Sequence, residues 1–136
     1  ADPGSKIVEY AHNFQIDVVP FVGPSSIILA LMASGMNGQN FAFTGYLPID
    51  KSDRTRALRY LESLTKKTGQ TQIFMETPYR NHQLFDTIIK VCSNNTKLCI
   101  ASDITLPSEN IKTKTIAEWK QEKININKKP AIFLIN

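Results

Sequence analysis

Apolar positions along this chain alternate between a spacing of three to four residues and short unbroken runs, the rhythm of amphipathic helices set between buried strands. Ile7, Val8, Ala11 and Phe14 keep the helical spacing after the turn Asp2-Pro3-Gly4. Residues 17–21 then read as a short strand. Ser25 stands where a helix N-cap belongs and Gly35 where a left-handed C-cap residue belongs, so 26–34 is predicted helical. That helix carries Ile27, Ile28, Leu29, Leu31 and Met32 nearly all round it and is expected to be buried.

The alternation continues to the carboxyl end. Residues 41–45 form the next strand, Leu47-Pro48 turns the chain, and 52–67 is a helix whose apolar stripe is Ala57, Leu58, Leu61 and Leu64. Arg56 and Arg59 fall on its solvent side. Arg54 shares the side of the stripe at the first turn, where a cation opposes both the apolar surface and the helix dipole. It therefore calls for an anionic partner, in the protein or in a ligand. Residues 71–75 read as a central strand, 80 or 81 to 93 as a helix with Leu84, Ile88, Ile89 and Val91 inward, and 97–101 as another strand. Residues 109–115 suit a sheet edge. Thr115-Ile116-Ala117-Glu118 is a capping box opening a short helix that carries Trp119, and 131–135 is a last apolar strand.

Strands alternating with helices predict an α/β fold: a three-layer domain, 1–136, with a mixed sheet of about five strands flanked by helices. A length of 136 residues and a hydrophobic content of 42% suffice for one core. No apolar run approaches the roughly 20 residues of a membrane helix. Cys92 and Cys99 fall in apolar patterns, the habit of buried reduced thiols, which points to a cytoplasmic protein. With the distant His12 and His82 they lack metal-ligand spacing, and no metal site is expected. The net charge of +4 permits a polyanionic partner without requiring one. Lysines and arginines gather in 51–67 and 112–129, and solvated faces account for most of them.

Polar segments sit where strand runs end: Val22-Gly23-Pro24-Ser25-Ser26, Glu76-Thr77-Pro78-Tyr79-Arg80 and Ser102-Asp103-Ile104-Thr105. Ligands of open α/β sheets bind along the carboxyl rim of the strands, so unusual turns sharing that rim suggest one site. Gly23-Pro24 is either a tight turn into a helix or a means of presenting free helix amides to a carboxylate or phosphate. Glu76 either pairs with Arg80 or Arg54, or leaves Arg80 to hold a phosphate or a cofactor carboxylate while Tyr79 stacks on a base. Asp103 either orients its loop or acts as a general base. No catalytic residue is singled out.

These segments, in this order and with Phe41-Ala42-Phe43-Thr44-Gly45-Tyr46-Leu47-Pro48 between the first two, resemble the carboxyl-terminal half of the tetrapyrrole methylase family. Within it the likeness is to the branch that methylates a ribose 2′-hydroxyl in small-subunit ribosomal RNA. Ala1-Asp2-Pro3-Gly4 is similar to the tail of a longer family loop, which implies a preceding N-terminal domain, missing from this chain, with its own glycine-rich turn. The resemblance implies S-adenosylmethionine as cofactor, contacted by Ser25, Ser26, Met75, Ile104 and Ala131. The RNA branch carries a segment similar to Glu76-Thr77-Pro78-Tyr79-Arg80, which favours a ligand role there. With ribosomal RNA as acceptor, the expected substrate-binding residues are Arg54, Tyr79 and Arg80. The resemblance also allows a homodimer.

Methyl transfer suits so sparse a chemistry. The sulfonium of S-adenosylmethionine is already a strong electrophile, so such an enzyme aligns donor and acceptor and excludes water rather than activating a nucleophile of its own. The reading from sequence is a methyltransferase domain acting on a ribose hydroxyl in ribosomal RNA. The alternatives are a methylase of a tetrapyrrole or another small acceptor, and a non-catalytic binding or dimerisation module.

Overall fold

The last strand of the sequence lies in the middle of the sheet. In the computed structural model, which describes residues 4–136, the strands are β1 (Phe41–Tyr46), β2 (Thr71–Met75), β3 (Lys97–Ser102), β4 (Asn110–Thr115) and β5 (Ala131–Ile135). Their order is β1-β2-β5-β3-β4. β1 and β2 are parallel, and β5 is antiparallel to both β2 and β3, so β1, β2 and β3 all end on one rim. β4 returns antiparallel along β3 at the far edge. Residues 1–3 of the expected loop tail lie outside the described residues.

All five residues of β5 are buried, which is why Ala131-Ile132-Phe133-Leu134-Ile135 reads as an unbroken apolar run rather than an alternation. Its two faces serve two cores. Phe133 stacks on Phe74 of β2, ring centroids 6.2 Å apart, in the larger core under α3 (Lys51–Thr68), α4 (Asn81–Val91) and α5 (Ile116–Trp119). Ile132 and Leu134 join Ile73, Cys99 and Ala101 in the smaller core under α2 (Ser26–Ser34). Helices on both faces of a mixed five-stranded sheet make the three layers expected.

Local signals fix the helix ends. Asp50 caps α3 by accepting from the amides of Ser52 and Asp53, and Gly69 ends it at φ 67°, a conformation that favours glycine. The capping box at α5 forms, with Thr115 accepting from the Glu118 amide and Glu118 accepting from the Thr115 amide. It seats Trp119, whose indole donates to the Leu98 carbonyl at 2.8 Å.

Two expectations are corrected. Residues 17–21 form no strand; they pair with neither edge, β1 nor β4, and a strand without a partner leaves its amides and carbonyls unbonded to a sheet. Instead α1 (Ser5–Asn13) buries no residue, and Phe14, Val19, Phe21 and Val22 stand exposed, Phe21 at 96%. α2, expected to be buried, buries only Ala30, Leu31 and Ser34, because the described residues place the sheet against one of its sides. Ile28 and Met32 face outward.

Phe133→Ala should cost about 3 to 5 kcal/mol, because it empties the centre of the larger core and leaves Phe74 without its stacked neighbour. Asp50→Ala should cost only about 1 kcal/mol, the worth of an exposed N-cap. Urea denaturation of both variants checks the contrast.

Candidate functional site

The rim on which β1, β2 and β3 end is also the rim on which β5 begins. A cleft of about 280 Å3 opens there, with walls that include Ser26 from the start of α2, Tyr46 from the end of β1, Met75 and Glu76 from the end of β2, Ile104 after β3, and Ala131 at the start of β5. Period-2 alternation puts Met75 on the side of Ile73, facing the layer of α2. Tyr46 reaches the same side through a bulge. Gly45, at φ 70°, shifts the register between Phe43 and Tyr46, and the extra residue turns Tyr46 toward the cleft.

Ser25 occupies the N-cap position of α2, with extended backbone and its carbonyl accepting from Leu29 at 2.9 Å. Its hydroxyl makes no capping bond, so the first-turn amides of α2 have no side-chain cap. Ser26 lines the cleft, and Ser25 lies beside it in sequence without lining it.

Two charged contacts hold the walls. Glu76 is 5% exposed and accepts from the Thr77 amide at 2.7 Å and from Arg80 Nη2 at 2.8 Å. Burial by itself raises its carboxyl, but the Arg80 and Thr77 bonds outweigh it and hold Glu76 below the usual carboxylate range. Asp103 accepts from Lys129 Nζ and from Ser108 Oγ, both at 2.9 Å, and its amide donates to the Pro130 carbonyl at 3.0 Å. The Lys129 bond first, and then that of Ser108, holds the Asp103 carboxyl low. From the other side the buried Asn81 of α4 donates to the Lys129 carbonyl at 2.6 Å, and the Lys128 amide donates to the Pro78 carbonyl at 3.2 Å. The loop into β5, and with it Ala131, is thus fixed from both flanks.

Of the expected cofactor residues, Ser26, Met75, Ile104 and Ala131 come together on the one cleft, although they are spread over most of the chain. Tyr46, Glu76, Pro78 and Leu106 line it as well; for Tyr46 the signal in the sequence was the glycine just before a strand end. Tyr79 is 77% exposed, and Arg80 is half-exposed beside it with its Nε buried and unbonded. Arg54 lies elsewhere. At 1% exposure it sits between α3 and α4, where Nε donates to Thr87 Oγ1 at 3.3 Å and Nη1 to the Ile49 carbonyl at 3.1 Å. It forms no ion pair among the described residues; the partners the helix stripe called for are a hydroxyl and a carbonyl, with Asp50 nearby. Cys92 and Cys99 are buried free thiols, and burial, reinforced by Glu62, pushes Cys92 up to about 12. No group of His, Cys, Asp or Glu fit to hold a metal occurs among the described residues, nor does a helix long and apolar enough to cross a membrane.

This architecture is that of known methyltransferase structures. The methyltransferase CobJ superimposes with a TM-score of 0.58 at 12% identity, over 97% of this chain and 56% of that one. The cobalamin biosynthetic enzyme cobalt precorrin-4 methyltransferase, CbiF, gives 0.57 at 15% identity, over 98% and 58%. At such identities the likeness is one of fold. In sequence the chain is similar to proteins named ribosomal RNA small subunit methyltransferase I. That of Vibrio cholerae is 30% identical over 100% of this chain and 47% of its own length, and that of Buchnera aphidicola subspecies Schizaphis graminum is 34% identical over 98% and 47%. The chain spans about half the length of the curated relatives it matches. No family model matches it.

A carboxyl lowered in the folded state stabilises the fold above its unfolded pKa and loses that contribution as pH falls through the folded value. The stability gap between wild type and Asp103→Asn should therefore be widest near neutrality and shrink below about pH 4. Urea midpoints across pH measure it. Thr105 in the same turn is β-branched at φ 71°, a costly conformation, and Thr105→Gly should stabilise the chain by about 1 kcal/mol in thermal or urea unfolding.

Proposed function

We propose that this chain is the carboxyl-terminal half of an S-adenosylmethionine-dependent methyltransferase whose acceptor is a ribose 2′-hydroxyl in small-subunit ribosomal RNA. The observation that carries the reading is the convergence of Ser26, Met75, Ile104 and Ala131 on one rim cleft, in a chain similar along its length to proteins named for methylating that RNA. The residues suit the cofactor. Met75, Ile104 and the small Ala131 offer an apolar wall for an adenosine, and Ser26 with the uncapped amides of α2 offers donors for a carboxylate. Ser25, next to them, is assigned to the same donor group.

About 280 Å3 lies at the lower end of the volumes that enclose small ligands, as half of a cleft shared with another domain would. The exposed apolar surface of α1, residues 14–22 and the outer side of α2 has the character of a face that such a domain covers. We assign it to the N-terminal domain, within the half of the relatives' length that this chain does not span.

When bound, S-adenosylmethionine supplies a methyl group already activated by its positive sulfur. The protein's part is placement. Met75 and Ile104 exclude water, the Asp103–Lys129 contact keeps the loop before Ala131 in position, and Glu76 holds Arg80 so that its guanidinium and the exposed Tyr79 ring flank an acceptor strand. Arg54, enclosed between α3 and α4, is assigned a structural part instead. Modification of ribosomal RNA places the protein in the cytoplasm.

The test uses the full-length protein and labelled methyl transfer to small-subunit ribosomal RNA. Wild type should methylate it, and RNA carrying a deoxyribose at the acceptor should take up no label. Ala131→Trp, which fills the cleft, should lower transfer by about 100-fold or more while the fold persists by circular dichroism. Methylation of a tetrapyrrole in place of RNA would overturn the reading.

A further inference from the structure

A second cavity of about 280 Å3 lies on the opposite face of the sheet from the cleft, at the same rim. Strand register builds it. In the β3·β4 pair Ser102 faces Asn110 and Ile100 faces Lys112, so these side chains project together toward the layer of α5. The segment after α5 closes it with Lys123 and Ile124, over a floor that includes Trp119. Its lining is polar at the top and apolar beneath.

The charges are unequal. Lys129 is matched by Asp103, and Lys114, beside the cavity, by Glu122. Lys112 and Lys123 have no ion-pair partner among the described residues, although both line the cavity and Lys112 also feels Glu122. A lysine on an edge strand protects that edge from pairing with other chains, which accounts for Lys112. It does not account for Lys123, which lies beyond α5 and off the sheet. Two unmatched ammonium groups over a concave, hydroxyl- and amide-lined surface are suited to a phosphodiester, and Ile124 and the Trp119 ring beneath them are suited to the nucleoside it carries.

We propose that this cavity binds a phosphodiester of the RNA acceptor strand, next to the nucleotide that is methylated. The inference rests on the RNA reading above. Adjacency comes from the Lys129–Asp103 pair: Asp103 lines the cleft, Lys129 lines the cavity, and their 2.9 Å contact is the wall between them. A strand crossing that wall reaches both.

Lys112→Gln/Lys123→Gln tests this against Arg59→Gln/Lys67→Gln, which removes the same charge from the exposed side of α3. The 136-residue chain is titrated with a short fluorescein-labelled single-stranded RNA, read by anisotropy, and separately with inorganic pyrophosphate, read by emission of Trp119, the chain's one tryptophan. The expected result is RNA affinity weakened about tenfold in the first variant and under about twofold in the second. The slope of log affinity against log salt should fall by about 1.4 in the first variant, roughly 0.7 for each phosphate lost from a single strand. Pyrophosphate should shift Trp119 emission in wild type and not in Lys112→Gln/Lys123→Gln. RNA binding that both variants weaken equally, or that neither weakens, would overturn the cavity and leave the RNA reading standing. Pyrophosphate binding that requires Lys112 and Lys123, with no RNA binding by wild type, would overturn the RNA assignment and show a site for another phosphate.

Discussion

The insertion of β5 between β2 and β3 is the constraint on which the structure depends. Ala131–Ile135 is buried on both faces and hydrogen-bonded on both edges, so neither core is complete, and the sheet is not continuous, until the last strand arrives. Its antiparallel entry also brings the amino end of β5 to the rim where three earlier strands end. Pairings between residues so distant in sequence form late and cost loop-closure entropy, which the burial of Phe133 against Phe74 and of Ile132 and Leu134 in the smaller core offsets.

The same insertion explains why the approach to β5 is so firmly held. The Asp103–Lys129 pair, the Asn81 bond to the Lys129 carbonyl and the Lys128 bond to Pro78 tie this short loop to β3, α4 and the turn after β2. Asp103 and Lys128 adopt positive φ in doing so, at 52° and 58°. A few tenths of an ångström at Ala131 would alter the width of the cleft, and these contacts remove that freedom. The chemistry assigned to the cleft needs such placement more than it needs a reactive side chain, since alignment and exclusion of water are the protein's contribution to methyl transfer from an activated donor.

The charges of the chain divide by what surrounds them. Arg54 is enclosed and satisfied by neutral oxygens, Arg80 and Lys129 are held by carboxylates at the cleft, and Lys112 and Lys123 face an open cavity with no carboxylate of their own. The net charge of +4 says nothing of this partition. Residues of one type, similar in spacing, take a buried, a positioning or a solvent-facing place according to the element that carries them.

Sequence by itself determined the elements whose signals are local. The stripe of α3, the caps at Asp50 and Gly69, the capping box at Thr115 and the unbroken apolar run of β5 each follow from spacing and from the needs of backbone donors and acceptors within a few residues. Strand ends were legible too, and so Met75, Ile104 and Ala131 stood out before any contact was known. Tertiary structure decided the rest. Residues 17–21 have the composition of a strand but no described partner, and a strand exists only by pairing. The inward side of Arg54 was legible, whereas its partners Thr87 and Ile49 depended on how α4 packs. Asp103 and Lys129, and Ile100 and Lys112, meet only because the sheet sets β5 and β4 antiparallel to either side of β3, and register between distant strands is fixed by the whole packed sheet rather than by any segment in it.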